Sequence, residues 1–347
     1  MRIEKFTNLY RDVTKEGTKI PQEKYCLAGQ FPIVDQGQRV IAGWWNDDDG
    51  IFKDVPAIIF GDHTRAIKYM EEPFFIGADG VKILRPTNVN DNPKYLYYAL
   101  QSAKIPNLGY SRHFKVVKEL EIRMYSRDEQ DEIVRVLEKI DYLIEQRHVE
   151  TTYIDQLVKS RFIELFGDYD LTHPQESWVT IKEIGTVVGG ATPKTDHDEY
   201  WGGSYRWITP AELDADSGYI YDSVRKLTKA GVESCSLQEM PVGTVILSSR
   251  APIGKVAIAG NTFYCNQGFK NIICKEGITP RYLYTVLLLN VEYLNSLGRG
   301  ATFKEISKGI VESIRIPVPS MDLQQQFAAF VEQTDKSKLC GKMEVAA

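Results

Sequence analysis

The segment RDEQDEIVRVLEKID at positions 127–141 returns as MDLQQQFAAFVEQTD at positions 321–335. Upstream of it, PKYLYYAL at 93–100 returns as PRYLYTVL at 280–287. Still further upstream, Phe74 to Gly80 resembles Phe263 to Gly268, so that the blocks keep their order along the chain. Chance similarity does not preserve the order of separated blocks, and the sequence therefore predicts an internal duplication.

One further match in the repeat concerns two dipeptides. Phe114-Lys115 corresponds to Phe303-Lys304 in the same order of blocks.

The length of each copy indicates how the copies are arranged. Two copies near 190 residues each form a tandem pair and not a solenoid, because a unit of that length can close its own core.

Each copy begins with a strand-rich part. VPAIIF at 55–60 and VGTVIL at 242–247 are short apolar runs bounded by Gly, Pro and Asp, as in buried strands. Pro93 and Pro280 stand where proline favours the first turn of a helix.

A long helix is predicted to follow in the first copy. From Asp128, the residues Ile133, Leu137, Ile140 and Ile144 repeat at heptad spacing. The pattern continues to Phe166, where Gly167 ends it, and predicts a helix on the order of 55–60 Å long. Since such a helix is too long to be covered by its own domain, we expect part of it to face another chain.

The amino-acid composition limits the classes of protein to which this chain can belong. Hydrophobic residues make up 43% and charged residues 26% of the 347 residues, with a net charge of −5. The five cysteines form no C-x-x-C pair, which is typical of a reduced, cytoplasmic protein. No signal peptide and no apolar stretch near 20 residues is visible, so we expect a soluble protein outside the membrane.

Motifs for catalysis are missing from the sequence. Neither G-x-x-x-x-G-K-[ST] nor G-x-G-x-x-G occurs, and Asn92-Pro-Lys-Tyr95 lacks the second proline of an amino-methyltransferase motif. The histidines have no metal-ligand spacing. The segment from Asp196 to Glu199 could form a metal-ligand cluster, but a sequence of this kind is more often a solvated polar loop. We therefore expect no catalytic residue and no metal in this chain.

Loops rich in cations and amides recur in both copies. Arginine pairs well with guanine and Asn or Gln with adenine in the DNA major groove, while lysine mainly holds phosphate. Any single loop cation is more often merely solvated, but the recurrence favours a nucleic-acid surface for the set. The candidate DNA-binding residues are Arg65, Lys68, Arg112, His113, Lys115, Arg250, Lys255, Asn266, Gln267, Lys270, Arg299 and Lys304.

The ordered motifs resemble those of a known family. Both long helices open with Asp-x-Gln, at Asp128 to Gln130 and at Asp322 to Gln324. The second copy adds GGATP at 189–193, WITP at 207–210 and IPVP at 316–319. This set, over residues 1 to about 338, resembles the specificity subunit of type I restriction–modification systems.

The resemblance implies an α+β fold, namely a tandem duplication of a target-recognition domain followed by a long helix. The implied segments are recognition domain 1 at 1–126, a spacer helix at 127–166, recognition domain 2 at 167–320, and a shortened second helix and tail at 321–347. Each domain would read one half of a split double-stranded DNA target, and the helices would pack as an antiparallel coiled coil that sets the gap.

The family also implies partners. Two modification subunits, which use S-adenosylmethionine to methylate adenine, would dock on the helices, and restriction subunits would use ATP and Mg²⁺. The specificity chain itself would be non-catalytic and would hold no cofactor. The residues implied for the coiled coil and partner docking are Gln130, Ile133, Leu137, Ile140, Ile144, Gln324, Phe327 and Val331.

Two alternatives remain open. The second helix has no apolar seam past Asp335 to match the first, which would suit a truncated or degenerate specificity protein that binds partners without directing methylation. An enzyme with an unrecognised site is the other alternative.

Overall fold

The computed structural model describes residues 1–77, 79–109, 111–213, 218–250, 252–300 and 304–346, with side chains described as far as residue 337. The chain divides into two compact units, Met1–Gln146 and Arg147–Ala347. Both units mix strands and helices. Within the described ranges, no helix is both long enough and apolar enough to cross a membrane.

The first unit alternates short strands with helices before a long helix begins. Its elements are β1 (Arg2–Lys5), α1 (Phe6–Leu9), β2 (Tyr10–Asp12), β3 (Phe31–Val34), β4 (Gly43–Trp45), β5 (Ala57–Gly61), β6 (Ile67–Met70), β7 (Phe75–Ile76), β8 (Val81–Pro86), α2 (Pro93–Ser102), α3 (Phe114–Val117), β9 (Glu121–Met124) and α4 (Arg127–Phe166). The helix α4 continues into the second unit.

The second unit repeats this order of elements with additions. Its elements are β10 (Val179–Thr180), α5 (Ile181–Ile184), β11 (Gly185–Val188), β12 (Trp201–Ile208), β13 (Tyr219–Ile220), β14 (Arg225–Leu227), α6 (Lys229–Glu233), β15 (Val245–Leu247), β16 (Val256–Ala259), β17 (Tyr264–Cys265), β18 (Asn271–Cys274), α7 (Pro280–Leu289), α8 (Val291–Ser296), α9 (Lys308–Ser313), β19 (Arg315–Ile316) and α10 (Met321–Ala346).

The sheets of the two units have matching topology. The order β2-β8-β5-β6 in the first unit corresponds to β11-β18-β15-β16 in the second, where β13 adds a fifth strand. Likewise β4-β3-β7 corresponds to β14-β12-β17, and in each sheet the last pair is parallel. Strands β5 and β15 are interior strands of these sheets. All five residues of β5 and all three of β15 are buried, because apolar side chains cover both faces of each strand.

Helices α2 and α7 begin at Pro93 and Pro280, as the sequence predicts. The N-cap of α2 is Asn92, whose side chain accepts the backbone N–H groups of residues 94 and 95. Thr279 caps α7 in the same way, through the N–H of Tyr282. Each cap satisfies helix-end donors that would otherwise have no partner.

Backbone hydrogen bonds align the loop before α3 with the loop before α9. The N–H of His113 donates to the carbonyl of Asp62 at 2.8 Å, and the N–H of Ile306 donates to the carbonyl of Ser249 at 3.0 Å. His113 therefore corresponds to Ile306, and the predicted match of Phe114-Lys115 with Phe303-Lys304 is wrong by several residues. Phe303 itself lies outside the described residues.

Within the second unit, the end of α4 packs against α7 and α10. The rings of Phe162 and Phe166 lie 5.4 and 5.6 Å from that of Phe327, and the Phe162 ring stacks on Tyr282 at 5.7 Å. The guanidinium of Arg161 lies over the ring of Phe330 at 5.8 Å. Contacts thus step backward along α4 as they step forward along α10, so the two helices are antiparallel here.

Candidate nucleic-acid interface

Three loops of the second unit meet beside the end of β15. The N–H of Ser249 donates to the carbonyl of Gly268 at 2.8 Å, and the Ser249 carbonyl accepts from Ile306 at 3.0 Å. A Cβ at Gly268 would lie 3.0 Å from the side-chain oxygen of Asn266 and 3.2 Å from Pro210. The absence of a side chain at Gly268 therefore allows the loops to approach this closely.

This junction carries a row of three charged residues, defined here as the Arg–Glu–Arg row of Arg250, Glu305 and Arg299. Antiparallel bridges pair Glu305 with Arg250 on one side and with Arg299 on the other. Because residues directly opposite each other in antiparallel strands have side chains on the same face, the three side chains share one face of the loop surface.

A lysine lies against the centre of the row. The Nζ of Lys270 lies 3.0 Å from the Glu305 carboxylate and 3.3 Å from the Ser249 hydroxyl, and its side chain is 14% exposed. Arg250 lies 3.9 Å from the same carboxylate and is 35% exposed. Lys270 is thus largely engaged inside the junction, whereas the Arg250 side chain is partly exposed to solvent.

The remaining candidates in the second unit differ in what they contact. Arg299 and Lys304 are exposed, as is Gln267, which accepts a hydrogen bond from the Thr192 hydroxyl at 2.6 Å. The Asn266 side chain accepts the N–H of Gly268 at 2.9 Å and shapes its own turn.

Lys255, another predicted DNA contact, is bonded inside the second unit. Its ammonium donates to the carbonyls of Pro210 and Leu213 at 3.1 and 2.9 Å. These internal acceptors satisfy the cation, so Lys255 braces the loop that follows β12.

In the first unit, the structure separates exposed candidates from internal ones. Arg112 is exposed just before α3, and Lys115 is exposed on α3 itself. Arg65 adopts the left-handed conformation at φ 62° and donates to the carbonyl of Ile105 at 3.1 Å. Arg65 thus holds a turn together, with its side chain partly buried.

Two predicted DNA contacts, His113 and Lys68, are corrected by their burial. His113 is fully buried, and its ring bridges the Asp62 carbonyl at 2.9 Å on Nδ1 and the Leu108 N–H at 3.1 Å on Nε2. Since Nε2 must accept from a backbone donor, the imidazole is neutral with its proton on Nδ1. It joins two loops and does not reach the surface.

Lys68 has a side chain that is 3% exposed. Its ammonium donates to the backbone carbonyl of Asp35 at 2.7 Å and lies 3.5 Å from the Asp35 carboxylate. Burial lowers the pKa of Lys68, although Asp35 opposes that shift. Lys68 is a structural cation of β6.

Sequence reasoning overlooked the acids at these loops. Asp79 pairs with Lys19 and lies within the electrostatic influence of Arg112; the hydrogen bond from Lys19 lowers the pKa of Asp79 below its usual range. In the second unit, Glu305 also lies among cations, beside Arg250 and Lys270. Asp79 directly precedes Gly80, and Glu305 directly follows Lys304. A sequence search for acidic as well as basic residues in these loops would have found both acids.

A basic groove in the first unit was also missed. A cavity of about 450 Å³ is lined by Asp12, Thr14, Lys15, Gly17, Lys19 and Lys82. Lys82 donates to the Asp12 carboxylate at 3.1 Å, which leaves Lys15 as an exposed cation at its edge. Partial burial would raise the pKa of Asp12, but hydrogen bonds from Thr14 and Lys82 outweigh it and lower that pKa.

The residues predicted for partner docking divide into buried and exposed groups. Gln130 and Gln324 are 1% and 0% exposed and bond within their own units, and Phe327 and Val331 belong to the core of the second unit. The side chains of these four residues are used inside the chain, and Phe327 packs against Phe162 and Phe166 of α4.

The other four residues of that group lie on α4. Ile133 and Leu137 are half-buried and line a cavity of about 520 Å³ with Tyr95 and Ile122. Ile140 and Ile144 are 44% and 52% exposed. A solvent-facing apolar pair one turn apart is suited to contact another helix.

Metal-ligand geometry is not found among the described residues. His197 lies 2.8 Å from Glu199, and both are on the surface in a short polar turn. The hydrogen bond from His197 lowers the pKa of Glu199.

Comparison with known proteins finds a family model that matches part of the second unit. Residues 176–341 match the family model for the type I restriction modification DNA specificity domain. The type I restriction enzyme MjaIX specificity subunit of Methanocaldococcus jannaschii is 43% identical over 185 residues, which are 52% of this chain and 43% of that relative. This alignment therefore spans less than half of the relative's length.

Two further comparisons extend over most of the chain. The type I restriction enzyme EcoR124I/EcoR124II specificity subunit of Escherichia coli is 26% identical over 340 residues, covering 88% of this chain and 79% of the relative. The crystal structure of the type I restriction–modification S subunit from M. genitalium matches with a TM-score of 0.60 at 16% identity, covering 99% of this chain and 92% of that one. The latter likeness concerns the fold. The domain match and these relatives together show that the chain is similar to type I restriction–modification specificity subunits.

Proposed function

We propose that this chain is the DNA-recognition subunit of a type I restriction–modification complex and that each unit reads one half of a bipartite target. The observation that carries the proposal is that the same loop carries an exposed arginine in both units. Arg112 precedes α3 and Arg299 precedes α9, and each loop is tied to the residues after β5 or β15 by an equivalent backbone hydrogen bond. Cations presented on corresponding loops suit contact with phosphate and guanine.

We further propose that the chain is a tandem duplication. The matching sheet orders, the paired helices α2 and α7, and the Asp-x-Gln start of both long helices support this proposal. In this proposal α4 and α10 form an antiparallel coiled-coil spacer that sets the gap between half-sites. The inverse order of the contacts of Phe162 and Arg161 with α10 supports that arrangement.

Partner subunits complete the proposal. Two modification subunits dock along the helices, where Ile140 and Ile144 offer apolar surface, and restriction subunits join them. Methyl transfer from S-adenosylmethionine and the use of ATP and Mg²⁺ take place in those subunits, in the cytoplasm. The specificity chain contributes sequence recognition and no catalytic residue.

Genome-wide mapping of adenine methylation in the host, with and without this gene, tests the proposal. We expect a split methylated motif that disappears on deletion and returns on complementation. A chain with Arg112→Ala and Arg299→Ala together should restore it only weakly, whereas Lys229→Ala, a surface cation paired with Glu233 in the second unit, serves as the control. An unchanged methylation map after deletion would contradict the proposal.

A further inference from the structure

The Arg–Glu–Arg row places one acid where a purely phosphate-holding surface would carry cations only. Glu305 is 39% exposed, and its carboxylate lies 3.0 Å from Lys270 and 3.9 Å from Arg250. We propose that Glu305 is a specificity-determining residue, which accepts a hydrogen bond from the cytosine amino group of a G·C pair whose guanine is contacted by Arg250. This inference rests on the proposed function and names one base pair within it.

The side chains of the row lie on the same side of the loop surface. Because Glu305 bridges to Arg250 and Arg299 in antiparallel register, the three side chains share one face. A base edge that reaches Arg250 is therefore within reach of the Glu305 carboxylate as well.

Glu305 is held in place through both its side chain and its backbone. Lys270 bonds both Glu305 and the Ser249 hydroxyl, and it is 14% exposed, so the lysine holds the carboxylate from inside the surface. The backbone of Glu305 is also held, since its N–H donates to Arg299 at 3.0 Å and its carbonyl accepts from Arg299 at 3.1 Å. A carboxylate held on both sides loses little conformational freedom when it binds.

A carboxylate can accept hydrogen bonds from only a few groups of duplex DNA. Phosphate repels it, so Glu305 lowers affinity for random duplex. In the major groove the base edges offer hydrogen-bond donors only at the amino groups of cytosine and adenine. Arginine favours the N7 and O6 acceptors of guanine. A donor and an acceptor side by side therefore fit the two edges of one G·C pair.

The experiment uses the full chain assembled with its modification subunits in cells that lack the chromosomal gene. Methylated motifs are mapped for the unaltered chain, for Glu305→Gln, for Arg250→Lys and for the control Glu233→Gln. Glu233 is an exposed acid of the same unit, paired with Lys229 at 3.8 Å, so its substitution removes an equal charge away from the row. Binding of the purified complexes to a random-sequence duplex is measured over a range of salt concentrations.

We expect Glu305→Gln to make one G·C position of one half-site degenerate, with about tenfold less discrimination there. Arg250→Lys should relax the same position, and the other half-site should stay unchanged in both variants. Random-duplex affinity should rise with Glu305→Gln, with a steeper dependence on salt. Glu233→Gln should leave the motif intact.

The inference is overturned if the Glu305→Gln motif is unchanged, if methylation is lost at all sequences, or if the two variants relax different positions. If the Glu305→Gln chain does not assemble with the modification subunits, the Arg250→Lys variant alone tests the proposal. Relaxed specificity at a base pair other than G·C would then contradict it. Failure of the proposed function itself is distinguishable, because the unaltered chain would then give no split motif.

Discussion

The side-chain oxygen of Gln324 accepts the backbone N–H of Thr279 at 2.8 Å, and Gln130 makes the same contact with Asn92 at 2.8 Å. Thr279 and Asn92 are the N-caps of α7 and α2. In both units a glutamine in the first turn of the long helix is thus bonded to the start of the preceding helix.

The amide nitrogen of each glutamine completes the anchor. Gln324 donates to the carbonyls of Gly277 and Pro319 at 3.1 and 2.9 Å, and Gln130 donates to the Tyr125 carbonyl at 3.0 Å. Both ends of each side-chain amide are satisfied in a buried position. The glutamine of the Asp-x-Gln motif therefore fixes the direction in which the long helix leaves its domain.

Replacing Gln324 by alanine should destabilise the second unit by about 2 kcal/mol or more, because buried backbone groups lose their partner. The measurement is the free energy of unfolding from denaturant titration. Gln325→Ala, one residue along and exposed, is the matched control and should change stability by less than about 0.5 kcal/mol. Equal effects of the two variants would show that the anchor contributes nothing.

His113→Ala should lower the stability of the first unit, because the Leu108 N–H and the Asp62 carbonyl both lose a buried partner. Arg112→Ala, at the exposed neighbouring position, should leave stability unchanged and weaken binding to a specific duplex. Thermal unfolding and DNA binding of both variants separate the two roles. Unchanged DNA binding by Arg112→Ala would contradict its assignment to the surface.

Arg250→Ala should weaken specific binding by about 1–3 kcal/mol and relax specificity within one half-site only. The reason is that Arg250 is a partly exposed arginine on a surface held by backbone hydrogen bonds. Competition binding with duplexes altered in one half-site at a time measures this effect. Equal loss for specific and random duplex would instead indicate that Arg250 holds phosphate.

Ile140→Glu should abolish co-purification with the modification subunits, because a charge in an apolar helix contact costs desolvation. Ile140 is 44% exposed, so the fold of the first unit should be unaffected and its unfolding temperature unchanged. Lys139→Glu places the same charge at the adjacent exposed position as a control. Normal co-purification of Ile140→Glu would argue against docking at this seam.

The pH dependence of stability should include a contribution from Glu183. Hydrogen bonds from the Thr180 hydroxyl and then the Thr180 N–H lower the pKa of Glu183 from its ordinary 4.5. Because the folded state favours the charged carboxylate, this stabilisation is present above pH 4.5 and is lost as pH falls through the lowered pKa. The unaltered chain should thus unfold at a higher temperature than Glu183→Gln at neutral pH, with the difference disappearing in acid. A difference that persists in acid would contradict the ionic origin.

The loops show where sequence reasoning was insufficient. Among the predicted DNA contacts, Arg112, Lys115, Arg299 and Lys304 are exposed, whereas Lys68, Lys255 and His113 are bonded internally. The residue types do not distinguish the exposed residues from the internally bonded ones. A lysine on a short glycine-flanked loop has the same local sequence pattern whether its ammonium faces solvent or a backbone carbonyl.

The sequence alone was enough to predict the resemblance to type I specificity subunits, the repeated order of the blocks and the starts of helices α2 and α7, because proline positions and the order of motifs can be read along the chain. The heptad pattern likewise indicated a helix over the range that α4 occupies, Arg127–Phe166. Only the tertiary structure decided that Gln130 and Gln324 anchor helices, that His113 joins two loops, and that Glu305 stands between two arginines. Those roles depend on partners about 40 to 55 residues away, such as Thr279 for Gln324 and Asp62 for His113, and only folding brings such residues within hydrogen-bond distance.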